Sequence, residues 1–129
     1  MILVDTTVWI DWFADRHGPA VDKLRAAIEQ EEDLAVCGLV ITEVLQGVRH
    51  DNDFEEIRTV LCDLLFLPVS LATHIRAAQM YRACRRRGLT IRKPVDCIIA
   101  ATCIENSAFI LHNDRDFTHL SKHFPLQQW

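Results

Sequence analysis

The sequence predicts an α/β domain built around a mainly parallel sheet of four to five short strands. Three observations predict it. Ile2, Leu3 and Val4 form an unbroken apolar run that ends on Asp5. A continuous run, rather than an alternating one, suits a strand buried on both faces of a parallel sheet. Leu34–Cys37 and Phe109–Leu111 repeat the pattern, and segments with helical apolar spacing lie between them. Such β and α alternation places the carboxyl ends of the strands along one edge of the sheet.

The elements follow in order. Thr6 and Thr7 lead into a helical segment carrying Trp9, Ile10, Trp12 and Phe13. Asp15–Gly18 reads as a turn. Pro19 fits the first turn of a second helix, with Val21, Leu24, Ala27 and Ile28 on one face. Gln30–Asp33 is a polar break before the strand Leu34–Cys37, which Gly38 ends. Leu39–Val48 reads as a helix with Val40, Ile41, Val44, Leu45 and Val48 as its apolar stripe. Glu43 lies off that stripe, one turn before Gly47. A glycine within a helix costs about 1 kcal/mol relative to alanine, so Gly47 is expected to serve a close approach of substrate, strand or partner.

Asp51–Phe66 reads as a helix capped by Asn52 or Asp53, with Phe54, Ile57, Val60, Leu61, Leu64 and Leu65 inward. Leu67–Val69, which contains Pro68, reads as a short edge strand. Ser70–Arg87 is a long helix closed by Gly88. Its apolar positions are Ile75, Ala78, Met80, Tyr81 and Cys84, and His74 reads as a surface residue. After a loop at Leu89–Lys93, Pro94 opens the most apolar helix of the chain, running through Ile104. A helix apolar nearly all round is central. Asp96 sits in its first turn, where free N–H groups and the dipole favour an anion. Phe109–Leu111 then runs into HNDRDF, so that Asp114 lies just past a strand end, as Asp5 does, with Asp116 two residues on. Thr118–His123 reads as a short helix and Leu126–Gln128 as a last strand.

Composition narrows the function classes. The 129 residues suffice for one domain with a core and are too few for two. No apolar run approaches the roughly 20 residues of a membrane span, and the N-terminus has no basic n-region or cleavage site of a signal peptide. The 5 cysteines are odd in number and lack a CxxC pair, which reads as reduced core thiols of a cytosolic protein. The net charge of -4 does not advertise a nucleic-acid binder. The charge is uneven, however: Arg82, Arg85, Arg86, Arg87, Arg92 and Lys93 are six of the 14 basic residues. That strip is either a phosphate-binding surface beside an acidic centre or a solvated helix end.

Asp5, Glu43, Asp96 and Asp114, with Asp116 nearby, are carboxylates at strand ends or on the helices that follow them. A carboxylate after a buried strand is either a helix cap or the first ligand of a site. Gathered on one sheet edge, these groups repel one another, and their pKa values rise unless a cation intervenes. Hard oxygen ligands without cysteine or histidine select Mg²⁺ or Mn²⁺ over zinc. His119 and His123 have zinc-pair spacing but lack a third ligand in view. A divalent ion on carboxylates activates water and offsets charge on a phosphodiester. Metal-dependent phosphodiester hydrolysis is therefore expected, with Thr7 and Asn113 available to position water or a ligand. A haloacid-dehalogenase phosphatase would need an aspartate where Thr7 stands. A ribonuclease H-like fold would open with an antiparallel meander. GxGxxG and GxxxxGK[ST] loops are absent.

DTTVWIDWF, ITEVLQGVR, PVDCIIAATCIE and ILHNDRDF, in that order and at these spacings, resemble the PIN-domain ribonucleases, and most of all the VapC toxins of bacterial type II toxin–antitoxin pairs. The resemblance spans residues 1–129 and implies one PIN-like domain with a three-layer α/β/α fold. It implies that Asp5, Glu43, Asp96 and Asp114 hold Mg²⁺ or Mn²⁺, with Asp116 as an additional acidic position and Thr7 as the hydroxyl after the first aspartate. Val95 departs from relatives that carry another acid there, which bears on a second metal position. Also implied are a structured RNA substrate such as tRNA or ribosomal RNA, a homodimer, and a VapB-like antitoxin whose C-terminal segment covers the site. Trp9, Trp12 and Phe13 are candidate anchors for that partner, although a core role suits Trp9 equally. The alternative is a catalytically silent PIN-like module that binds RNA or protein.

Overall fold

Ile2, Leu3 and Val4 are fully buried and form β1 (Ile2–Val4), the central strand of a five-stranded sheet. The computed structural model describes every residue from Met1 to Trp129. The chain continues as α1 (Thr6–Phe13), α2 (Pro19–Glu29), β2 (Leu34–Cys37), α3 (Gly38–Leu45), α4 (Asp51–Cys62) and β3 (Leu65–Leu67). Then come α5 (Leu71–Arg86), α6 (Pro94–Glu105), β4 (Phe109–Leu111), α7 (Arg115–His123) and β5 (Gln127–Gln128). The sheet order is β3-β2-β1-β4-β5, and every pairing is parallel. Helices cover both faces, giving the expected three-layer α/β/α arrangement, with a sheet that is wholly rather than mainly parallel.

This order positions the site. The chain lays β2 and β3 on one side of β1, then returns through α5 and α6 to add β4 and β5 on the other. The strand order reverses between β1 and β4, and the crevice beyond the carboxyl ends at such a switch is where open α/β sheets bind ligands. Leu3 pairs in register with Ile110 and Val4 with Leu111. The Asp5 N–H then donates to the Leu111 carbonyl at 2.9 Å, so both acidic strand ends start from one level.

α6 is as central as its composition predicts, with Cys97, Ile99, Ala100, Ala101 and Cys103 all buried. Four cysteines are buried and all five are free, which fits the core-thiol reading for every cysteine except the exposed Cys62. Burial pushes the Cys97 thiol up to about 12, so it stays protonated at neutral pH.

Several element expectations need correction. The helix expected to reach Phe66 stops at Cys62, and the edge strand is Leu65–Leu67 rather than Leu67–Val69. Leu65–Leu67 pairs with Ala35–Cys37, and Pro68, lacking an N–H, marks where that ladder stops. On α4 only Leu61 is buried, while Val60 and Leu65 stay exposed. On α5 the buried set is Thr73, Ala77, Met80 and Cys84, and Ile75 and Ala78 face outward. Ile28 of α2 is likewise exposed. α3 ends at Leu45, short of Val48. A side-chain carbon at Gly47 would meet only the Val44 carbonyl, at 3.9 Å, so no neighbouring strand requires that glycine. Gly88 does hold a left-handed conformation, with φ at 74°, after the Arg87 cap of α5.

Candidate metal site at the sheet switch point

Asp5 occupies the N-cap position of α1, but its side chain makes no capping hydrogen bond. It is buried, and its Oδ2 lies 2.9 Å from the Thr7 hydroxyl. That hydroxyl also lies 2.7 Å from Asn113 Oδ1. The hydroxyl has one proton to donate, so Asp5 Oδ2 and Asn113 Oδ1 compete for it. Asn113 Nδ2 donates to Asp11 at 3.3 Å, which fixes the amide with its oxygen toward Thr7. On the other flank, the Thr6 hydroxyl donates to Glu43 Oε2 at 2.8 Å and so ties α3 to α1.

Asp96, Asp114 and Asp116 form the tightest group: each offers an oxygen within 4.8 Å of the others. Asp96 is 5% exposed, and its Oδ2 is buried with no hydrogen-bond donor. Asp114 caps α7, accepting the Asp116 N–H on Oδ1 at 2.9 Å. Arg92 reaches into this group, 2.7 Å from Asp114 Oδ1 through Nη2 and 3.4 Å from Asp116 Oδ2 through Nε. Its backbone N–H donates to Asp116 Oδ2 at 3.1 Å.

The charges sort accordingly. Burial, then the negative charges of Asp5 and Asp114, push the Asp96 carboxyl up to about 7. Asp5 is raised by burial, with Glu43 adding repulsion and the Thr7 hydrogen bond opposing it. At Asp114 burial also pushes upward, but the Asp116 N–H and the Arg92 guanidinium together hold it below the usual carboxylate value. The site therefore has a neutralised side at Arg92 and a side short of positive charge around Asp96 and Asp5. A buried carboxylate oxygen without a donor, next to further acids, fits a hard divalent cation.

All six candidates, Asp5, Thr7, Glu43, Asp96, Asp114 and Asp116, lie in this region. Asp96, Asp114 and Asp116 are close enough to share an ion, while Asp5 and Glu43 adjoin them through mutual repulsion and the Thr6 link. Two residues escaped the sequence reading. Thr6 carries no motif signal beyond its place beside Asp5. Arg92 looked like one more cation of the basic strip, and its separations of 22 and 24 residues from its partners hid the pairing.

A PIN domain family model matches residues 2–123. Ribonuclease VapC11 of Mycobacterium tuberculosis is 37% identical over 129 residues, covering 98% of this chain and 96% of the relative. The chain belongs to the PIN-domain family. Solved PIN-fold structures agree with that placement. A toxin–antitoxin complex from Klebsiella pneumoniae superposes with a TM-score of 0.71 at 21% identity, covering 91% of this chain and 90% of that one. The Mycobacterium tuberculosis toxin VapC20, described as cleaving the sarcin–ricin loop, gives 0.70 at 12% identity, covering 96% of each chain. At those identities the likeness is one of fold. In this PIN domain the acidic side chains gather at the sheet edge where β1 and β4 part.

Proposed function

We propose that this PIN-domain protein is the toxin of a type II toxin–antitoxin pair, a Mg²⁺- or Mn²⁺-dependent endoribonuclease acting on structured RNA such as tRNA or ribosomal RNA. The observation that carries the reading is the buried, donor-less Oδ2 of Asp96 among Asp5, Asp114 and Asp116. We assign Asp5, Glu43, Asp96 and Asp114 to hold the ion, with residues 1–129 acting as one domain. The ion would supply an activated water and offset charge on the scissile phosphate. The chain's own residues do the positioning. Thr7, braced by Asn113, orients Asp5; Thr6 orients Glu43; Arg92 and Asp116 hold Asp114 in place.

The RNA surface is assigned to Arg82, Arg85, Arg86 and Arg87, which are exposed and make no ion pair. Arg92 leaves that strip, because it is committed to the acidic site. The antitoxin is assigned to a groove of about 530 Å³ between α1, α3 and α4, lined by Ile10, Phe13, Val44, Val48, Ile57 and Val60. An apolar segment of the partner suits such a lining. Phe13 retains its anchor role there. Trp9 does not, since it is 1% exposed, its ring stacked beneath the half-buried Phe13. Trp12 is half-buried beneath the Arg25 guanidinium. A homodimer is supported by Leu71 and Ile75, 79% and 54% exposed on one face of α5. No helix is long and apolar enough to cross a membrane, and we place the protein in the cytoplasm.

The test is cleavage of a panel of tRNA and ribosomal stem–loops with Mg²⁺ or Mn²⁺, with EDTA, and with Asp96→Asn. The reading expects discrete cuts that EDTA abolishes and that the variant reduces at least about 100-fold. Cleavage that persists in EDTA or in the variant would remove the metal-centred mechanism. RNA binding without cleavage would favour the silent module.

A further inference from the structure

Arg92 lies at the rim of the acidic site, its side chain 54% exposed, with its guanidinium turned onto two of the acids. The residue before it, Ile91, is 2% exposed, and α6 begins two residues after it at Pro94, so the backbone is held from both sides. Its guanidinium spans two carboxylates, 2.7 Å from Asp114 Oδ1 and 3.4 Å from Asp116 Oδ2. The Arg92 N–H adds a second donor to Asp116 Oδ2 at 3.1 Å, and the Asp116 N–H adds a second to Asp114 Oδ1 at 2.9 Å. Each of those oxygens therefore accepts twice, which engages both of its lone pairs. Asp96 stands in contrast, its buried Oδ2 lacking any donor. The demand for positive charge is one-sided: met at Asp114 and Asp116 by a fixed arginine, unmet at Asp96 and Asp5.

We propose that Arg92 takes the place of a second divalent ion, pairing with Asp114 and Asp116 from the rim, so that the site binds one divalent ion on its Asp5–Asp96 side. A planar guanidinium suits this task because its fork engages two carboxylates at once and never gives up its charge. Asp116 is then the anchor of Arg92 and not a metal ligand, and Arg92 is a positioning residue for Asp114. The inference rests on the divalent-ion reading of the site given above.

The experiment counts Mn²⁺ bound per chain, from the free-ion electron paramagnetic resonance signal, on the whole protein at pH 8 without RNA. Wild type is expected to bind one Mn²⁺. Arg92→Gln, checked for folding by circular dichroism, is expected to bind two, and Arg92→Lys, which keeps the charge, is expected to bind one. Two ions in the wild type would overturn the proposal, as would an unchanged count and affinity in Arg92→Gln. Zero in both would instead remove the divalent-ion reading and this inference with it. A second measurement needs no variant to fold. The Arg92 Nε–H signal in ¹⁵N nuclear magnetic resonance should stay protected at saturating Mg²⁺. Its loss on adding Mg²⁺ would mean that the ion displaces the arginine, and would overturn the proposal.

Discussion

At Asp96 burial and neighbouring charge push in the same direction. Water is excluded, and Asp5 and Asp114 add negative potential, so the folded chain holds a proton up to about pH 7 where free aspartate has lost it near 3.8. A carboxyl whose pKa is raised on folding contributes stability at low pH and loses it as pH rises through that interval. Without metal, wild type and Asp96→Asn should therefore be similar near pH 4. The asparagine variant should gain on the order of 2 kcal/mol relative to wild type by pH 8. Urea denaturation of both proteins at the two pH values checks it, and curves that stay parallel would place Asp96 in a compensated environment. Asp5, Asp96 and Asp114 were legible in the sequence because each occupies a position that secondary structure alone defines, a strand end or a helix start. The pairing of Arg92 with Asp114 and Asp116 was not, because it depends on how the loop before α6 folds back over the start of α7. A run of arginines looks alike in sequence whether its members meet solvent or a carboxylate.

Among the elements, those buried on every side were the readable ones. β1, β2 and β4 are short apolar runs because both faces of the sheet are covered, and α6 is apolar all round because it lies beneath α5 and against the sheet. Elements on the periphery misled. The apolar residues Leu61, Leu64 and Leu65 keep helical spacing past the true end of α4 at Cys62, and only pairing with β2 turns the chain into a strand. Outward apolar residues on α4 and α5 had the same spacing as inward ones, since a helical pattern marks an apolar face without stating what covers it. α5 is instead fixed at its start by polar contacts. Ser70 and Thr73 form a reciprocal capping box, and the buried Thr73 hydroxyl donates to Glu105 Oε2 at 2.7 Å, joining α5 to the end of α6. Ser70→Ala is expected to cost about 1 kcal/mol in thermal or urea unfolding and to leave metal binding unchanged. A loss of metal binding would mean that α5 and α6 transmit that strain to Asp96.

On the scale of the whole molecule, the parallel sheet and its single reversal of order bring together acids that are far apart in the chain. Asp5 and Asp114 follow the ends of adjacent strands, α3 brings Glu43 against α1, and α6 brings Asp96 close to Asp114 and within the field of Asp5. The cost of gathering them is a repulsion that Arg92 offsets on one side only. A ligand that binds only the folded state raises the melting temperature with its concentration. The measurement that tests this most directly is thermal unfolding over a Mn²⁺ titration, for wild type and for the double variant Asp5→Asn, Asp96→Asn. The melting temperature of the wild type should climb steadily with Mn²⁺, while that of the double variant should stay level. Equal responses in the two proteins, or none in the wild type, would contradict a metal site at the Asp5–Asp96 edge of the sheet.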